Sequence, residues 1–216
     1  MLRHQRTIFA GARTIIRSRR EALADFGLGL VMSAAAVSLA FIATLLTRQA
    51  RVMELVPSFG ALATAAMPRL GASIAHECVY AYVLVTVLMI VLRHRWIAVA
   101  VAAAAAAGIH LMSPGTNAFT AASAAAGVLA GGAAFVVTGR LWMPIALTFG
   151  WQMAQGPIFG FASGGLPVPH SWFRQEILEY TAWSGGVLGP DASVIGIAAK
   201  LLMAAAVVAF AQRDTR

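Results

Sequence analysis

Charge is what this chain is short of. Only 11% of its 216 residues are Asp, Glu, Lys or Arg, and 60% are apolar. A soluble domain carries about a quarter charged residues, so an ordinary water-soluble fold is excluded. Cysteine is almost missing as well. Cys78 stands alone, which excludes an internal disulfide and a thiol cluster for metal, and it reads as a small buried apolar residue. Acidic residues are outnumbered by basic ones, 8 against 16 Lys and Arg, a formal net charge of +8. That surplus reads as membrane topology rather than nucleic-acid binding, because Lys and Arg concentrate in the cytoplasmic loops of membrane proteins. Period-two alternation is lacking too. The apolar runs are continuous, which argues against a strand barrel.

What is present are runs long enough to cross the roughly 30 Å of hydrocarbon that about 20 apolar residues span. Six segments stand out, at 26–47, 71–92, 96–113, 119–138, 141–161 and 192–211. Arg48 and Arg51, Arg93-His94-Arg95, Ser113-Pro114-Gly115 and Thr138-Gly139-Arg140 punctuate them. The expected fold is all-α, a polytopic transmembrane helical bundle of about six spans. It comprises a basic segment over 1–25, a membrane domain over 26–211 and a tail over 212–216. With six spans, the basic N-terminal segment, Arg93, Arg95, Arg140, Arg213 and Arg216 share one side, against Arg48, Arg51, Arg69 and Arg174 on the other. The positive-inside rule then puts both termini in the cytoplasm. Lys200 falls inside the last span and is expected to snorkel. The segment 1–25 has two readings, an amphipathic helix on anionic lipid or a solvated tail. The stretch 162–190, rich in Gly and Pro, reads as an external loop.

Glu77 and His110 lie within such apolar runs, where ionisable side chains are costly and usually face a bundle interior or a watery cavity. At 1.5 Å per residue, Glu77 lies about 24 Å from Arg93 and His110 about 22 Å from Arg95. Thr148 and Gln152 lie about 12 and 18 Å from Arg140, on one helix face. Taken singly, His110, Thr148 and Gln152 fit interhelical hydrogen bonding, while Glu77 fits an interfacial position with its head in water. Glu77, His110 and Gln152 at a similar level, with Thr148 somewhat deeper, point instead to one shared cavity. Zinc is not expected. His76 and Glu77 are helix neighbours pointing about 100° apart, whereas zincin-type ligands sit at i and i+4, and further ligands are missing. Gly127-x-x-x-Gly131 reads as a face for close helix packing.

Several stretches resemble one family. Gly139-Arg-Leu-Trp-Met-Pro-Ile-Ala-Leu is similar to the Gly-x-Leu-Trp-x-Pro-Ile opening of the last catalytic helix in CPBP intramembrane proteases. That family is related to type II CAAX prenyl endopeptidases and bacteriocin self-immunity proteins. Gln155-Gly-Pro-Ile-Phe-Gly, Ser184-Gly-Gly-Val-Leu-Gly-Pro-Asp-Ala-Ser and His110-Leu-Met-Ser-Pro-Gly resemble further segments of it. The resemblance spans about residues 20–210. It implies a CPBP-like bundle in a bacterial inner (plasma) membrane, with a glutamate activating water while histidines and an asparagine orient it and stabilise the oxyanion.

The catalytic motifs depart from that pattern. The family's Glu-Glu pair with a following Arg reads His76-Glu77-Cys-Val-Tyr-Ala81, keeping the second Glu. Phe-x-x-x-His reads Ala106-x-x-x-His110, keeping the His. His-x-x-x-Asn reads Thr148-x-x-x-Gln152, keeping neither. Gln152 can replace Asn as a donor, but its extra methylene shifts the amide by about an ångström, enough to cost roughly a hundredfold in rate. Two functions follow. One is a divergent intramembrane endopeptidase, with Glu77 or His76 as base and His110, Gln152 and Thr148 around the scissile carbonyl. The other is a non-catalytic scaffold, immunity or partner-binding subunit. The expected partners are membrane lipids and a membrane protein or peptide, without nucleic acid, cofactor or metal.

Overall fold

In the computed structural model, residues 19–163, 168–179 and 181–213 are described. Helix α1 spans Arg19–Leu46 and leads through a tight turn, with Arg48 at positive φ, into strand β1, Ala50–Leu55. Ser58 caps α2, Phe59–Glu77, by accepting from the Ala61 amide. A wide π turn over Cys78–Leu84 joins α2 to α3, Val85–Leu92. Arg93 ends that rod in a left-handed conformation. His94 then caps α4, Arg95–Leu111, through its ring nitrogen.

Asn117 and Thr120 form a reciprocal capping box at the start of α5, Ala118–Thr138, satisfying two amides the first turn leaves orphaned. Gly139, at φ +66, terminates α5, as a residue without Cβ can do freely. Helix α6, Trp142–Met153, runs into a second π turn over Ala154–Ile158. Strand β2, Phe173–Ile177, a 3₁₀ segment over Gly186–Ala192 and α7, Val194–Arg213, complete the fold.

Four helical stretches are long and apolar enough to cross a membrane: Arg19–Leu46, Phe59–Leu92, Ala118–Thr138 and Gly186–Phe210. Helix α4 is apolar but shorter, at 17 residues. The mostly helical, membrane-type bundle expected from the sequence is therefore present. The first helix begins by Arg19 rather than near 26. The amphipathic reading of 1–25 falls mainly on residues 1–18, outside the described residues, as do 214–216 of the expected tail.

Two apolar clusters hold the bundle together. Val37, Ala130, Ala134, Leu147, Trp151 and Val207 join α1, α5, α6 and α7. Val85, Val99, Ala102, Ala106 and Val128 join α3, α4 and α5. Helix α5 belongs to both and forms the centre. Close approach depends on small residues. A Cβ on Gly29 would come within 2.8 Å of Ala146 and of the Met143 carbonyl, and one on Gly150 would strike the Ser33 hydroxyl. Those two glycines seat α1 against α6. The Gly127-x-x-x-Gly131 face works differently from its sequence reading: Gly127 looks into open space, and the close contacts are at Gly131 and Gly132.

The two ends differ in chemistry. At one, Arg140 donates to both carboxylate oxygens of Asp25, at 2.5 and 3.0 Å, and to Glu21 at 3.2 Å. The Asp25 hydrogen bonds and charge hold its guanidinium above its ordinary range. The arginines of the 93–95 loop lie at the same end, since Val99 near the start of α4 meets Gly132 near the end of α5. The opposite end carries an antiparallel pair, β1 with β2, the latter within the stretch 162–190 that was expected to be an external loop. Arg51 pairs with Glu176 and Arg174 with Glu54 across it. Phe41, Phe159, Phe161 and Phe173 pack beneath it.

Candidate functional site

Glu77 ends α2 just before the first π turn, and it is buried to 1% exposure. Such turns are frequent where a helix carries function. The Thr148 hydroxyl, reaching across from α6, donates to Glu77 Oε1 at 2.5 Å. The adjacent His76 Nδ1 lies 2.9 Å from the same oxygen. On the far side, a Cβ built on Gly131 would come within 2.6 Å of Oε2. The carboxylate is therefore clamped between a hydroxyl, an imidazole and bare α5 backbone. Glycine at 131 is what leaves it room. The His76 side chain is 35% exposed, and its ring lies against Tyr80 at 4.7 Å between centroids.

Of the residues singled out in the sequence, Glu77, His76 and Thr148 are brought together. His110 is not. Its Nδ1 lies 3.1 Å from the Ala106 carbonyl of its own helix, and its carbonyl accepts from Thr116. Among the described residues no hydrogen bond joins His110 to Glu77, Thr148 or Gln152. Gln152, one turn beyond Thr148 on α6, is half-buried and makes no hydrogen bond among the described residues. The expected meeting of acid, His110 and amide is thus replaced by acid, neighbouring imidazole and hydroxyl.

A second polar cluster lies in the same bundle. Lys200 of α7 is only 9% exposed and points inward, not outward as the snorkelling expectation had it. Its ammonium donates to Asp191 and to Ser123 of α5, both at 2.8 Å, and lies 4.6 Å from the centroid of the Trp151 ring. Gln155, in the second π turn, donates to Asp191 at 2.9 Å and to the Ala162 carbonyl at 2.8 Å, and accepts from the Trp151 indole. Inward pairing removes the cost of a lone ammonium in hydrocarbon, which snorkelling would otherwise relieve. The sequence carried a usable signal, a lysine near the start of a span with an aspartate nine residues before it. Among the described residues, no group of three or more His, Cys, Asp and Glu side chains is arranged to hold a metal ion.

No protein-family model, no curated protein and no solved structure matches this chain. The likeness to CPBP proteins thus rests on the residues quoted above.

Proposed function

We propose that this protein is a divergent CPBP-type protein of a bacterial inner membrane in which the hydrolytic site has become a packing element. In this reading it acts by binding, as a scaffold, an immunity factor or a partner subunit. The observation that carries it is the state of Glu77. A base that activates water must lie within hydrogen-bond reach of that water. Here one carboxylate oxygen already takes the Thr148 hydroxyl and His76, and the other faces the Gly131 backbone. His110 and Gln152, the donors expected for an oxyanion, each worth about 10²–10³ in rate, make no hydrogen bond to it among the described residues. A constellation missing several members retains little activity beyond binding.

The topology belongs to the same proposal. Six spans with both termini in the cytoplasm fit the arginines of the 93–95 loop, Arg140 and the start of α1 lying at one end, by the positive-inside rule. The test is cleavage of membrane-embedded reporter peptides by full-length protein in liposomes, comparing wild type with Glu77→Gln, His76→Ala and His110→Ala. All four are expected at the level of empty liposomes. Turnover by the wild type that Glu77→Gln abolishes would overturn the binding reading.

A second reading has one observation in its favour. Glu77 holds His76 by Nδ1 while a third of that side chain is exposed. A carboxylate steadying an imidazole in this way is how hydrolases orient a general base. Under this reading turnover is present and disappears in His76→Ala, while His110→Ala retains it.

A further inference from the structure

At the arginine-bearing end, an apolar groove of about 460 Å³ opens on the outside of the bundle between α4, α5 and α7. Trp96 and Val99 of α4, Leu129 and Ala133 of α5, and Ala205 and Val208 of α7 line it. Trp96 stands in the first turn of α4, with the Arg95 guanidinium 5.5 Å from its ring centroid. Arg93 and Arg95 are both exposed. Arg140, by contrast, is committed to Asp25 and Glu21. Among the described residues, neither Arg93 nor Arg95 has an acidic partner.

We propose that this groove is a binding site for an anionic phospholipid, with an acyl chain along Trp96 and Val208 and the phosphate at Arg95. Two kinds of complementarity meet at one place. The groove is apolar and lies in a bundle built from membrane-crossing helices, so hydrocarbon is what its walls accept at least cost. Beside it Arg95, without an acidic partner among the described residues, stands over Trp96, a residue type enriched where chains meet headgroups. Basic groups at that level attract anionic lipid. An arginine also matches phosphate oxygens in a fork geometry that a lysine lacks. The zwitterionic lipids of the same bilayer fill the groove less well, because their headgroup cation meets the same arginines.

The test uses full-length protein in mixed micelles and the fluorescence of its tryptophans, with phospholipids brominated on the acyl chain as contact quenchers. Phosphatidylglycerol and phosphatidylcholine carrying the same brominated chain are compared. The component of quenching lost in Trp96→Phe is assigned to the groove. That component is expected at about fivefold lower mole fraction of the glycerol lipid, the preference that one arginine near the surface provides. Arg95→Ala should bring the two lipids together, and Arg95→Lys should retain part of the difference. Ala205→Phe, a change at an exposed position that fills the groove from outside, should weaken quenching by both. Equal quenching by the two lipids in the wild type would mean annular contact only and overturn the proposal. So would a preference that survives Arg95→Ala, or quenching that is indifferent to Ala205→Phe.

Discussion

A glycine decides what Glu77 can be. Because Gly131 has no side chain, the carboxylate lies directly on α5, and any Cβ there would come within 2.6 Å of Oε2. Gly131→Ala is therefore expected to cost about 1–3 kcal/mol, as overpacking of a filled interior does. It should be read as a lower apparent unfolding midpoint in detergent. Gly127→Ala is the control from the same helix. Nothing lies within 4 Å of its Cβ, so it should be neutral or gain up to about 1 kcal/mol from helix propensity. Equal losses in both would show that the Gly131 contact is not the cause. At this scale the sequence was partly legible. Glu77, His76 and Thr148 are visible as polar groups in apolar runs and do meet, but a common level for Glu77, His110 and Gln152 rests on counting residues. That count assumes helices standing along the membrane normal. The Phe59–Leu92 rod has 34 residues, about 50 Å of helix for about 30 Å of hydrocarbon. A rod of that length tilts or bends, and residue number then ceases to measure depth.

Helices α5, α6 and α7 are pinned by the Lys200 cluster more than by any single apolar contact. Lys200 reaches Ser123, Asp191 and the Trp151 ring, and Asp191 in turn holds Gln155. Breaking the pair from one side leaves the other charge uncompensated; with Lys200 buried and the Asp191 side chain 34% exposed, the cost is roughly 1–3 kcal/mol. Lys200→Met and Asp191→Leu should each destabilise by that order in denaturation from mixed micelles. The double variant should lose clearly less than their sum. Additive losses would mean that the two charges are independently solvated. The sequence made the lysine visible but not its partner, because Asp191 sits between the expected loop and the expected span. The strands were less visible still. Gly and Pro give 162–190 the look of a loop, and the strand pairing joins segments more than a hundred residues apart. Only the alternating exposure of Phe173–Ile177 corresponds to a pattern that sequence could show.

For the whole molecule, the apolar composition was the most legible signal, and the helical bundle follows from it. Number of crossings is the finer question, and it turns on α4, whose 17 residues stand at the short limit for a span, and on α6, with only 12 residues before its π turn. In a Cys78→Ala background, single cysteines at His94 and Ser113 flank α4 at its two ends. A membrane-impermeant maleimide should label them from opposite sides of sealed vesicles. Labelling of both from one side would remove α4 as a crossing and the six-span topology with it.

The account rests on Glu77 being engaged by Thr148 rather than free to take a proton from water. A double-mutant cycle of Glu77→Gln and Thr148→Val, read as unfolding free energy in bicelles, measures that engagement directly. A coupling of about 1 kcal/mol or more is predicted, at the upper end of hydrogen bonds inside membranes because one partner is a buried carboxylate. Effects that add to within about 0.5 kcal/mol would mean an uncommitted acid and contradict the account.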